Sequence, residues 1–294
     1  MATAAQWLEG ARPRTLPMAI APVIIGSAAA YDLGDFHPVR AVLAALIAVL
    51  LQIGVNYAND YSDGIRGTDD NRVGPLRLTG ARLASPKQVK YAAFGCFAAA
   101  MLAGVALVLL AGTPFLILVG VGCVAAAWGY TGGKNPYGYR GLGDVFVFIF
   151  FGLVATLGTT YTQALEINTA AVLGAVGTGL IAMALLMANN VRDIPTDRVA
   201  GKRTLAVRLG DGGARISYVM MLALALLLPL FIAGSYPWIL LVLLLIPACI
   251  LPCGLMLTGK KGSSLIPVLK HTGLINLGFS VLYGAGLVIT RLLA

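Results

Sequence analysis

The chain is dominated by apolar runs too long and too continuous for a water-soluble fold. Nine stand in order along the sequence, at 16–30, 41–57, 91–111, 115–130, 145–160, 169–189, 216–233, 238–257 and 274–292. A hydrocarbon core about 30 Å thick takes roughly 20 residues of helix to cross. Several of these runs are at the short end of that requirement, 16–30 above all. The runs are unbroken rather than alternating, which selects helices over a membrane β-barrel. Composition agrees: 59% of residues are hydrophobic and 11% charged, where a soluble domain carries about 25% charged. The expectation is one all-α, polytopic integral-membrane domain over residues 1–294.

The formal charge of +9 has a topological explanation. With the N-terminus placed on the cytoplasmic side, every one of the 21 Lys and Arg residues except Arg40 and Arg291 falls on that same side. This is the positive-inside pattern. It removes the need for a nucleic-acid partner, and it predicts an odd number of spans with the C-terminus outside. The four cysteines, Cys96, Cys123, Cys249 and Cys253, lie in apolar runs without a CxxC pair and read as packed thiols. His37 and His271 are far apart in sequence, which gives a zinc or haem site little support. The residues before the first run lack the basic-then-apolar order of a cleaved signal peptide, so that run is expected to stay in the mature protein.

Against this background two acidic clusters stand out, NYANDYSDGIRGTDD at 56–70 and NNVRDIPTDRVAGKR at 189–203. Asn56, Asn59, Asp60 and Asp63 recur at intervals of three and four, which places them on one helix face. Asp69 and Asp70 follow a glycine break. Asn189, Asn190, Asp193 and Asp197 form the second set, with the two aspartates at i, i+4. Four apolar runs separate the clusters, and both fall on the same predicted face of the membrane. Carboxylates at a hydrocarbon boundary are costly unless paired or solvated, and a hard divalent cation would relieve their mutual repulsion. Mg²⁺ favours one or two carboxylates and completes its shell with water and substrate phosphate. Basic residues accompany the acids: Arg72, Arg77 and Arg82 after the first cluster, Arg198, Lys202 and Arg203 after the second, and Lys134 and Arg140 in TGGKNPYGYRGLGD. Arginine forks onto phosphate oxygens and lysine supplies a point charge. Acids and bases together predict a Mg²⁺–diphosphate site, with an apolar cavity beside it for a polyisoprenyl tail. Solvated interface charge is the alternative for any one of these residues. TGGK lacks the GxxxxGKS/T order of a nucleotide loop. Tyr137 and Tyr139 are candidates for lining an aromatic pocket, with turn packing as the alternative.

These residues carry a resemblance to the UbiA-type intramembrane aromatic prenyltransferases, whose hallmark is a pair of aspartate-rich motifs. Here they read Asn59-Asp60-Tyr61-Ser62-Asp63, continuing to Asp69, and Asn190-Val191-Arg192-Asp193 through Asp197. The chain is most similar to the subgroup that prenylates 1,4-dihydroxy-2-naphthoate in menaquinone synthesis, on stretches spread from Ala11 to Gly210. The resemblance implies nine transmembrane helices around a central cavity in the cell's inner (plasma) membrane, with the polar head of the cavity opening on the cytoplasmic side. It implies Mg²⁺ held by Asp60, Asp63, Asp193 and Asp197, with Asn56, Asn59 and Asn190 in support and Asp69, or Asp70 in its place, as a further ligand. The superfamily pattern places an acid where this chain has Gly67, and the naphthoate subgroup is similar to the GxD form found here. The implied reaction joins a polyprenyl group to the naphthoate ring with loss of diphosphate and CO₂, giving a demethylmenaquinone. Lys134, Arg140, Arg72, Arg198, Lys202 and Arg203 are the expected anion contacts. Enzymes acting on 4-hydroxybenzoate or homogentisate would share the diphosphate apparatus. A secondary transporter is the rival of a different class, but its ionisable groups usually lie near the bilayer midplane rather than at one face. Prenyl length and oligomeric state are not encoded in any motif.

Overall fold

The computed structural model describes residues 2–67 and 76–294. Among them there is no β-strand, and eight helical segments are long and apolar enough to cross a membrane. A short N-terminal helix, Ala4–Gly10, opens with a Thr3/Gln6 capping box. The principal helices then follow as α1 (Leu16–Leu33), α2 (Pro38–Ile65), α3 (Pro86–Ala111) and α4 (Leu116–Gly129). After these come α5 (Gly143–Ala164), α6 (Thr169–Val199), α7 (Leu205–Ile232), α8 (Pro237–Leu257) and α9 (Gly262–Leu293). Each of the nine apolar runs thus becomes a helix. The fourth, α4, has only 14 residues. At 1.5 Å per residue it is about 21 Å long, shorter than the hydrocarbon core. Thr113-Pro114 bounds it on one side and the glycine turn at Gly132-Gly133 on the other.

Helix length explains why the acids lie at one end. α2 has 28 residues and α6 has 31, about 42 and 46 Å of helix against a core of about 30 Å. Both overrun the apolar layer at their C-terminal ends. The polar residues from Asn56 to Asp63 and from Asn189 to Asp197 are those overrunning turns, still helical. At the opposite end of the bundle Arg40 donates to the carbonyls of Leu110, Thr162 and Gln163, and Arg291 reaches close to Gly34. The two basic residues that the charge pattern set apart are therefore set apart in space as well.

α1 packs against α9, α5, α2 and α6. Close approach depends on small residues, as expected where lipid offers no hydrophobic drive between helices. A Cβ on Gly26 of α1 would lie 2.5 Å from the Thr156 carbonyl of α5. One on Gly152 of α5 would lie 2.7 Å from Cα of Gly179 on α6. Around Gly152, over Phe148–Val154, α5 widens into π-helical turns, a distortion that often accompanies functional sites. α7, α8 and α9 pack behind α6 and α1 through the largest apolar core, which includes Tyr218, Phe279 and Tyr283. They contribute no helical residue to the cavity wall, which is drawn from α1–α6.

Candidate active site

A cavity of about 460 Å³ runs between α1, α2, α3, α4, α5 and α6. Most of its wall is apolar, with Met101, Val105, Leu116, Phe150, Phe151 and Val154 among its residues. The end of the cavity at the aspartate motifs carries Asn59, Asp63, Arg77, Tyr139, Asp193, Asp197 and Lys202.

The two acidic motifs meet across a lysine. Nζ of Lys202 lies 3.7 Å from Oδ1 of Asp63 on α2 and 3.9 Å from Oδ1 of Asp197 on α6. Asp63 also takes Arg77 on its other oxygen, at 3.2 Å, and accepts from the Tyr139 hydroxyl. The Tyr139 ring lies under Lys202, 4.4 Å from ammonium to centroid, and Arg66 approaches it at 5.3 Å, distances that suit cation–π attraction. Backbone bonds stitch the loops together. Arg203 N donates to Tyr139 O and Lys202 N to Asp197 O, both at 2.8 Å, and Arg208 donates to the Arg140 carbonyl at 2.6 Å. Arg66 ties α2 to the same loop by donating to the carbonyls of Thr131 and Gly133. The Thr131 hydroxyl donates to Asn59 at 2.7 Å. Asp193 is gripped from its own helix by Arg192.

Of the residues singled out in the sequence, Asp63, Asp193, Asp197, Asn56, Asn59, Asn190, Tyr137, Tyr139 and Lys202 all line this cavity. Asp60 does not. It is 1% exposed, and its carboxylate accepts from the amides of Leu78 at 2.5 Å and Thr79 at 2.9 Å. The helical angle gives the reason: at about 100° per residue, Asp60 lies roughly 60° around α2 from Asp63, turned toward the 77–79 segment. Lys134, Arg140 and Arg203, between the principal helices, and Arg198, in the last turn of α6, are exposed and do not line the cavity. Asp69, Asp70 and Arg72 lie outside the described residues.

Several cavity residues carried no site signal in the sequence. Arg12 lines the wall in a left-handed conformation, φ 56°, which is uncommon away from glycine. Thr15, immediately before α1, takes hydrogen bonds from Gln52 and Asn56 of α2, a polar rung one turn further into the membrane than Asn59. Tyr130 follows α4. Burial, and then the nearby Asp144, Tyr137, Asp63 and Asp197, push its phenol well above the ordinary tyrosine range. Tyr130 therefore stays protonated where it lines the cavity.

The donor set fits a hard cation. Asp63, Asp193 and Asp197 offer carboxylate oxygens and Asn59 and Asn190 amide oxygens, the ligands Mg²⁺ prefers. The Lys202 ammonium already sits where a positive charge is shared by both motifs. Among the described residues no three acidic, histidine or cysteine side chains are grouped so as to hold a metal ion by themselves. A cavity with this ionic mouth and this apolar wall is suited to an anionic headgroup on a long greasy tail.

That defines a class, an all-α membrane protein that receives an amphiphilic anion. The chain belongs to the UbiA prenyltransferase family, whose model matches residues 19–266. It is 53% identical over 274 residues to the 1,4-dihydroxy-2-naphthoate octaprenyltransferase of Mycobacterium tuberculosis, covering 93% of this chain and 94% of that one. Two solved structures share the fold. A UbiA homolog from Aeropyrum pernix K1 superposes with a TM-score of 0.69 at 20% identity, over 92% of this chain and 97% of that one. A UbiA homolog from Archaeoglobus fulgidus bound to GPP and Mg²⁺ gives 0.66 at 15% identity, over 97% and 99%.

Proposed function

We propose that this protein is a Mg²⁺-dependent aromatic polyprenyltransferase. It transfers a polyprenyl group from polyprenyl diphosphate to 1,4-dihydroxy-2-naphthoate, releasing diphosphate and CO₂ and forming demethylmenaquinol, the reduced form of demethylmenaquinone. The observation that carries the reading is the Lys202 ammonium held between Asp63 and Asp197. Two acidic helix ends remote in sequence share one cation at the head of an apolar cavity. The similarity to naphthoate octaprenyltransferases, at 53% identity over nearly the full length, supports the choice of acceptor.

Asp63, Asp193 and Asp197 would hold the metal, with Asn59 and Asn190 in support. Mg²⁺, when bound, neutralises diphosphate charge and so favours breaking of the allylic C–O bond. Lys202 and Arg77 offer positive charge to the diphosphate oxygens, and Tyr139 keeps the Asp63 carboxylate in orientation. Asp60 anchors the 77–79 segment and so sets where Arg77 stands. The apolar wall binds the isoprenoid chain and excludes water from the carbon that becomes electron-poor, which protects it from hydrolysis. The electron-rich naphthoate ring then bonds to that carbon.

The charge asymmetry supports an N-terminus on the cytoplasmic side, nine crossings with α4 as the short one, and a cavity mouth facing the cytoplasm in a bacterial inner or plasma membrane. The test is product identification. Purified protein is given Mg²⁺, a set of polyprenyl diphosphates and an equimolar mixture of 1,4-dihydroxy-2-naphthoate, 4-hydroxybenzoate and homogentisate. The expected product is a decarboxylated prenyl-naphthoquinol. A prenylated benzoate as the main product would overturn the acceptor assignment.

A further inference from the structure

Arg192 is 6% exposed and does not line the cavity, yet it makes a short ion pair with one of the site's carboxylates. Its Nε donates to Oδ1 of Asp193 and its Nη2 to Oδ2, each at 2.7 Å, and Nη2 also donates to Oδ1 of Asn189 at 2.7 Å. This is a fork on a carboxylate from the adjacent residue of the same helix. The side chain of Arg192 is 2% exposed and that of Asp193 14%, so the guanidinium is walled in behind the carboxylate while the carboxylate faces the cavity.

Asp63 and Asp197 are neutralised differently. They share Lys202 at 3.7 and 3.9 Å, contacts longer than a hydrogen bond, from a point charge on a flexible stem that can swing onto a ligand, and Asp63 takes a further, single contact from Arg77 at 3.2 Å. Arg192 has nowhere to swing. A cation reaching Asp193 therefore meets a carboxylate whose two oxygens already accept from a fixed guanidinium, and part of its charge is already neutralised.

Resting on the reading of this cavity as a Mg²⁺–diphosphate site, we infer that Arg192 is a positioning residue that sets the orientation of Asp193 and weakens its hold on metal. The metal beside Asp193 then binds with the diphosphate, whose negative charge makes up what Arg192 has cancelled, and it leaves when the diphosphate leaves. Asp193 is in consequence the carboxylate that depends on substrate for its cation.

The experiment is a Mn²⁺ titration of the full-length, detergent-purified protein. Free Mn²⁺ is read by electron paramagnetic resonance, with and without a prenyl thiolodiphosphate that does not ionise. Arg192→Gln removes the charge, so Mn²⁺ affinity without the analogue is expected to rise by about tenfold, as loss of a unit charge a few ångströms away dictates. With the carboxylate no longer held, kcat at saturating Mg²⁺ is expected to fall about tenfold or more, with KM for the aromatic acceptor unchanged. Arg192→Lys keeps the charge but loses the fork. Its Mn²⁺ affinity is expected to match wild type while its kcat falls. General damage to the fold would weaken metal binding and turnover together, so a rise in one with a fall in the other is diagnostic. Unchanged or weaker Mn²⁺ binding in monodisperse Arg192→Gln protein would overturn the inference. If that variant does not fold, wild-type kcat in Arg192→Lys would overturn it alone. Absence of Mn²⁺ binding in wild type even with the analogue would refute the metal–diphosphate reading itself, and this inference with it.

Discussion

Replacing Asp60 by asparagine separates two roles that a motif cannot tell apart. If Asp60 is a metal ligand, as the resemblance implies, its loss lowers metal affinity and leaves the fold intact. The structure gives it other work. Its two oxygens accept from the backbone amides of Leu78 and Thr79 at 2.5 and 2.9 Å, in a setting only 1% exposed. The held segment is part of the packing: Leu78 is fully buried in a cluster with Tyr57 and Phe97. Arg77 reaches Asp63 from the same segment. Asparagine retains one acceptor oxygen and turns an NH₂ group against the second amide. Hydrogen bonds to a charged acceptor contribute roughly 1.5–3 kcal/mol each, and a buried amide left without an acceptor costs about 1–3 kcal/mol. Losing one such bond and the charge on the other gives a destabilisation of about 2–4 kcal/mol. Thermal unfolding in detergent is expected to shift down by several degrees, while the Mg²⁺ concentration for half-maximal activity stays within about twofold of wild type. Turnover falls because Arg77 and Asp63 lose their register. An unshifted unfolding midpoint together with a tenfold rise in the Mg²⁺ requirement would refute this reasoning and make Asp60 a ligand.

Tyr139→Phe removes the hydroxyl that donates to Asp63 but keeps the ring beneath Lys202 and Arg66. Steady-state kinetics is expected to show kcat lowered by about tenfold with an unchanged unfolding midpoint, since a single donor to a charged acceptor is lost at a cavity wall. Gly152→Val puts a Cβ 2.7 Å from Gly179 Cα and 2.8 Å from the Ala175 carbonyl. Overpacking of that kind costs about 1–3 kcal/mol, so the variant is expected to unfold at lower temperature with Mg²⁺ affinity unaltered.

The helices and the polar stripe that reaches the cavity were legible in the chain because hydropathy and helical period are local properties. Nine apolar runs became nine helices, and the asparagine–aspartate spacing placed Asn56, Asn59 and Asp63 on one cavity-facing stripe. The same spacing assigned Asp60 to that stripe. Periodicity marks a helix face but does not say how wide an arc a neighbour covers, and here the 77–79 segment takes the edge that Asp60 occupies. The basic residues divided for a similar reason. Lys202 reaches the acids while Lys134, Arg140, Arg198 and Arg203 are exposed and do not line the cavity, a difference set by where each falls on its turn of loop or helix and by backbone bonds such as Arg203 N to Tyr139 O.

By itself, the sequence determined that this is an all-helical membrane protein with acidic ends on two helices at one end of the bundle. That much follows from how many consecutive residues avoid water and from helices long enough to overrun the apolar layer. Only the tertiary structure decided which charges meet. The Lys202 bridge between Asp63 and Asp197 and the arginine at the mouth from Arg77 depend on contacts between helices and loops remote in sequence, and the commitment of Asp60 to the backbone depends on a segment 18 residues away. Electrostatic partnership depends on distances of a few ångströms in space, and no spacing along a chain fixes those until its helices have packed.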